Sequence, residues 1–327
     1  MSRGLNLWLG AGGLVAILAA CLLGSTPLPP DRMLAALVGM GDVADRVIVW
    51  EIRLPRALAA WVVGVALGAS GAALQGLLRN PLAEPGVLGV SASSALAATI
   101  TLHFGFAALS PFVLPLAAIA GACAATALLA AAAIRAQSMT TLILIGVGLS
   151  SFAAALMSLL MNLAPNPFTL ADMVNWMMGS VANRGLPDIA LGLPFLIVGL
   201  GLLYATRRGL SALTLGEGAA QGIGLNVRRQ RLATVFGAGI ATGASVAIAG
   251  AIGFVGIVAP HLVRPWVGHD PARSLVPSAL LAGLFLVLAD IVVRVMPGEN
   301  ELKLGVVAAL VGAPIFLLIA VRRRGLA

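Results

Sequence analysis

Charge is scarce in this sequence. Only 10% of its 327 residues are Asp, Glu, Lys or Arg, while 60% are hydrophobic, and a fold dispersed in water needs far more polar surface than that. The solvent is therefore lipid. Cysteine is nearly absent: Cys21 and Cys123 both lie inside apolar stretches without metal-ligand spacing, which excludes a disulfide framework or a zinc site and leaves packing as their expected role. Aromatics make up 5% of the chain, and the basic residues stand singly or in short clusters with no aromatic-basic motif. The net charge of +8 is thus not the mark of a nucleic-acid binder.

Chemistry is missing too. No nucleotide-binding motif, nucleophile triad or metal-ligand cluster appears, so the chain is not expected to be an enzyme, to hydrolyse ATP or to hold a cofactor or metal. An intramembrane enzyme would need paired carboxylates, a Ser/His dyad or metal ligands at one depth. An ion-coupled secondary transporter, the alternative of another class, would need ionisable groups at mid-membrane, and none clearly falls there.

What is present is a series of long Leu/Ala/Val-rich runs without alternation, which favours helices over a barrel. The expected fold is an all-α polytopic membrane protein, one transmembrane domain over 1–327. Near the start, Arg3 and an apolar run ending in Leu18-Ala19-Ala20-Cys21 resemble a lipoprotein signal, but apolar residues continue past Cys21 and the segment reads as an uncleaved first helix.

Lys and Arg are retained on the cytoplasmic side, so Arg3, Arg79, Arg135, the group Arg207, Arg208, Arg228, Arg229, Arg231, Arg264 and Arg273, and the tail Arg322–Arg324 serve as fixed points. They predict spans over about 8–24, 57–78, 87–103, 107–134, 139–163, 187–206, 232–254, a short returning helix 257–268, 274–296 and 304–321. That is about ten crossings with both termini cytoplasmic, a periplasmic loop at 25–56 and a cytoplasmic region at 207–231. With this topology 13 basic and 3 acidic residues lie inside, and 7 and 9 outside. Gly64-x3-Gly68-Ala69-Ser70-Gly71 and Gly239-x3-Gly243-Ala244-Ser245 each precede a Gly/Pro-interrupted segment, 80–89 and 250–260. Paired interruptions in two halves mark transporters, and small residues also let helices pack closely.

Two features call for partners. Glu217 to Leu225 mixes helix formers with glycine stops, as a short docking helix or an ordinary connector would. Arg53, Arg56 and Arg294 sit at span ends on the side where positive charge is disfavoured, where they either dock acidic residues of an external protein or snorkel to lipid phosphates. Asp290 and Arg294 form an i,i+4 pair. His103 and His261 lie near span ends, and His269-Asp270 precedes Pro271 as a turn.

The chain resembles the FecCD family of type II ABC-importer permeases, whose members include vitamin B12, ferric siderophore and haem permeases. The resemblance rests on Arg53-Leu54-Pro55-Arg56, Gly68-Ala69-Ser70-Gly71 with Gln75, and Arg79 to Ser91 with its Asn80-Pro81-Leu82-Ala83-Glu84-Pro85-Gly86 core. It continues through Trp176 to Ser180, Gly250 to His261, Ala289 to Arg294 and Gly305 to Pro314. It implies a homodimer of ten-helix subunits in the bacterial inner membrane, two cytoplasmic ATPase subunits carrying ATP and Mg, a periplasmic substrate-binding protein and no nucleic acid. By the same resemblance Arg53, Arg56 and Arg294 pair with binding-protein carboxylates, and Glu217, Ala220, Gly224 and Leu225 belong to the coupling helix against the ATPase. Asn80, Leu82, Met139 and Thr140 match the cytoplasmic gates, although Ser or Thr is commoner where Met139 stands. A ferric siderophore is the leading expected cargo, with cobalamin and haem as alternatives.

Overall fold

The computed structural model describes residues 2–24, 28–135, 139–296 and 301–323. The helices, in chain order, are α1 (Ser2–Leu22), α2 (Pro30–Leu37), α3 (Val43–Val47), a π-helical turn (Ile48–Arg53), α4 (Leu54–Leu78), α5 (Val90–His103), α6 (Val113–Arg135) and α7 (Met139–Asn162). They continue with α8 (Pro167–Met177), α9 (Leu186–Leu213), α10 (Glu217–Gly222), α11 (Val227–Ala249), α12 (Val255–Val263), α13 (Pro271–Val295) and α14 (Leu304–Arg323). Among the described residues there is no strand, as the unbroken apolar runs required.

Among the described residues, seven helices are long and apolar enough to cross a membrane: α1, α4, α6, α7, α9, α11 and α13. Each falls on an expected span. The other three expected spans are helical but differ in length. α5 has 14 residues and α12 only 9, short of the roughly 20 a full crossing takes. α14 runs for 20 residues, with an apolar stretch over Leu304–Phe316.

The core is built on glycine. α4 and α13 run antiparallel, and Gly64 and Gly68 of α4 face the Ala282 and Ser278 backbone so closely that a Cβ on either would overlap it. The same device joins α11 to α9 at Gly199 and to α6 at Gly239 and Gly243. Small residues bring the helix axes together where lipid supplies no hydrophobic drive. The result is a central α4–α13–α11 layer, with α1, α9, α6 and α5 packed around it.

Several boundaries depart from expectation. The span predicted over 232–254 ends at Ala249, because Gly250 (φ 71°) and Phe254 (φ 67°) take left-handed backbone conformations that stop α11 and start α12 afresh. Residues 207–213 continue α9 and α11 begins at Val227, so the connector is shorter than the expected 207–231. The segment 25–56, expected as a periplasmic loop, is not a plain loop where described. Arg32 pairs with Asp45 (2.7 Å) and Asp42 (3.0 Å), Trp50 Nε1 donates to Ala36 O (3.0 Å), and Met33, Ala36 and Val49 pack on Cys21. A helix not foreseen, α8, starts where the Asn166 side chain accepts from Thr169 N (2.8 Å) and Pro167 follows at the first helical position. Cys21 is buried as expected, whereas Cys123 is exposed on the outside of the helix layer rather than packed.

Candidate functional site

Three places gather the residues singled out by sequence, and they lie at the two ends and the middle of the helix layer.

The first is where α1, α4 and α13 end together. The last carbonyls of α1 have no intrahelical partner, and two arginines supply one. Arg53 Nη1, turned inward by the π-helical turn, donates to Cys21 O (2.9 Å) and Leu22 O (2.8 Å), and Arg294 Nη1 donates to Ala20 O (3.0 Å). Positive charge is also favoured at a helix C-terminus. Asp290, 1% exposed, accepts from Arg56 Nε (2.9 Å) and Nη2 (2.8 Å) and from Arg294 Nε (2.7 Å). Arg56 also pairs with Glu301. Each of these arginines is therefore held by partners within the chain. Arg53 and Arg294 are buried in the protein's own framework, and Arg56 keeps a partly exposed side chain.

The second place is the meeting of the two interrupted segments. Gly71 of α4 lies against Gly256, where a Cβ would overlap the Gly256 carbonyl. Gln75 Nε2 donates to Gly256 O (3.3 Å) and Ile257 O (3.4 Å). Glu84 accepts from the backbone N–H of Phe254 at the start of α12, so a carboxylate from segment 80–89 caps the helix that follows segment 250–254. Glu84, Gly86 and Ser91 share a small cavity of about 120 Å³ with Ala251, Ile252 and Gly253. Sequence reasoning missed this residue: Glu84 stands one position before Pro85 in a turn-rich stretch, and nothing local signals that another turn closes over it.

Asn80 and Leu82 open this segment. Asn80 Oδ1 accepts from Leu82 N (2.9 Å), forming a local turn that leaves Leu82 exposed. Thr140 is exposed at the start of α7, and the Met139 side chain lies outside what the structure describes. The two pairs sit on separate elements, and α7 meets the 80–89 segment where Gly146 lies against the Val87–Leu88 backbone and Ser150 donates to Gly86 O (3.0 Å).

The third place is α10. Glu217 pairs with Arg231 of α11 (2.5 Å), Ala220 is fully buried and Leu225 packs on the core below it. Gly224 takes φ 88° to turn the chain into α11. Of the residues expected on a coupling surface, Ala220 and Leu225 thus face inward. Leu215 (67% exposed) and Ile223 (68%) face outward, and the sequence offered no pattern across so short a helix to tell them apart.

A larger cavity of about 540 Å³, open and apolar, lies along α14 between Gly305, Val306, Leu310 and Pro314 on one side and Met177, Met178 and Ala251 on the other. Among the described residues no group of three metal-ligating side chains occurs.

Comparison with known proteins gives one answer. Residues 13–322 match the model of the FecCD transport family. The chain is 40% identical over 88% of its length to an uncharacterized ABC transporter permease protein, YvrB, of Bacillus subtilis, covering 82% of that protein. It is 40% identical over 85% of its length to the vitamin B12 import system permease protein BtuC of Vibrio cholerae, covering 84% of it, and 37% identical over 95% to that of Klebsiella pneumoniae, covering 92%. A solved structure described as an inward-facing, metal-chelate type ABC transporter superposes with a TM-score of 0.85 at 29% identity, over 98% of this chain and 99% of the other.

Proposed function

The chain belongs to the FecCD transport family, and on that footing we propose that this ABC importer permease carries a metal chelate, a corrinoid first of all, from periplasm to cytoplasm. The observation that carries the reading is the near end-to-end similarity to vitamin B12 permeases, at 37–40% identity. It moves cobalamin ahead of the ferric siderophore, and the metal-chelate transporter of the same fold keeps the siderophore as the second reading.

In this proposal the permease works as two copies in the bacterial inner membrane with ten crossings each and both termini cytoplasmic. Two ATPase subunits grip α10, where exposed Leu215 and Ile223 offer an apolar contact and Glu217 ties the helix to α11. ATP binding draws those subunits together and, through α10, biases the permease between two arrangements. Asn80 and Leu82 with Met139 and Thr140 form the inner gates. Glu84 is the strut that makes segments 80–89 and 250–254 move as one. At the outer end Arg56, backed by Arg53 and Arg294, meets acidic residues of a substrate-binding protein. The second copy covers the apolar groove along α14. The path needs no charged site, since tight binding inside would slow release of a ligand handed over by its binding protein.

The test is the ligand of the cognate binding protein. Mass spectrometry of the small molecule retained by that protein after mild purification is expected to return a corrinoid. A ferric siderophore or haem in its place would overturn the corrinoid assignment.

A further inference from the structure

The outer-end cluster holds its two carboxylates in unlike ways. Asp290 is 1% exposed and receives hydrogen bonds from both Arg56 and Arg294. Glu301 has 38% of its side chain exposed and meets the cluster at Arg56 Nη2, three residues before α14 begins. Arg53 and Arg294 are committed to α1 carbonyls. Arg56 has an exchangeable contact, because losing Glu301 leaves its buried bonds to Asp290 intact.

We propose that Glu301 is a built-in competitor that occupies the outward edge of Arg56 in the undocked permease, and that a carboxylate of the substrate-binding protein displaces it on docking. This rests on the reading of the outer end as the docking face. Its consequence reaches the transport path. Val306 N and Val307 N donate to Lys303 O (3.0 and 3.3 Å), and Gly305 N donates to Gly179 O (3.1 Å) beside the Ser180 N to Ala249 O bond (2.7 Å). The lead-in 301–304 therefore bridges Arg56 to the junction of α8, α11 and α14, and Gly305 and Val306 form one wall of the apolar cavity. An exchange of partners at Arg56 releases one end of that bridge. A half-exposed ion pair is weak, as a displaceable contact must be.

Two measurements on the intact transporter in nanodiscs test this. Phenylglyoxal labelling of arginines, read by mass spectrometry with no partner present, is expected to rise about two- to fivefold at Arg56 in Glu301→Ala and to stay level at Arg53. Unchanged labelling at Arg56 would overturn the competitor role. Affinity for the purified substrate-binding protein is expected to tighten by about the same factor in Glu301→Ala and to weaken in Arg56→Glu. Weaker binding in both variants would overturn the competitor and leave the docking face standing. Unaltered binding in Arg56→Glu would remove the docking face and this inference with it.

Discussion

α4 and α7 are alike in sequence statistics and opposite in the fold. They have 25 and 24 residues, and the spans that contain them have mean hydropathies of 1.9 and 2.2. Yet 78% of the apolar stretch is buried in the first and 22% in the second. Hydropathy records that a helix avoids water, and it is silent on what replaces the water. Side-chain volume decides that. Gly64, Gly68 and Gly71 let α4 touch α13 and α12 backbone to backbone, whereas α7 turns Leu144, Val147 and Phe152 outward together with exposed Thr140, Thr141, Ser151 and Ser158. A helix with an outward face both apolar and hydroxylated suits lipid, a second copy and a passing ligand.

The sharpest way to break this contrast is one bulky residue placed in each helix. Gly71→Leu drives a side chain into the Gly256 carbonyl and is expected to cost about 3 kcal/mol or more, seen as loss of the monodisperse peak in detergent. Gly148→Leu in α7 meets nothing within 4 Å and is expected to leave that peak in place. Equal damage from both would dissolve the distinction. Next in size, Asp290→Ala leaves Arg56 and Arg294 facing each other in a buried site and is expected to destabilise by about 3–5 kcal/mol, measured as a fall in melting temperature.

Smaller effects sharpen the comparison. Thr140→Leu on the exposed face of α7 is expected to change stability by no more than about 0.5 kcal/mol while altering substrate moved per ATP. An unchanged ratio would remove Thr140 from the gate.

Much of the architecture was readable in advance because its causes are local. The apolar runs, the arginines between them and the Gly/Pro interruptions at 80–89 and 250–260 located the helices and the two special turns. What was not readable depends on residues far apart in the chain. Arg56 and Asp290 are 234 positions apart, so their pairing follows from the α4–α13 contact and from no local pattern. Glu84 looked like a loop acid until segment 250–254 closed over it. α8 was hidden because its 11 residues are too few for a span and too apolar for a loop. In α10, length again removed the signal, and inward Ala220 could not be separated from outward Ile223.

The central claim is that this chain is the passive half of an ATP-driven importer. It is tested most directly by uptake of radiolabelled cyanocobalamin into proteoliposomes containing the permease, its ATPase and its binding protein. Accumulation that requires Mg-ATP and survives collapse of the proton gradient is the predicted result. Uptake that proceeds without ATP and stops when the gradient is collapsed would contradict the account.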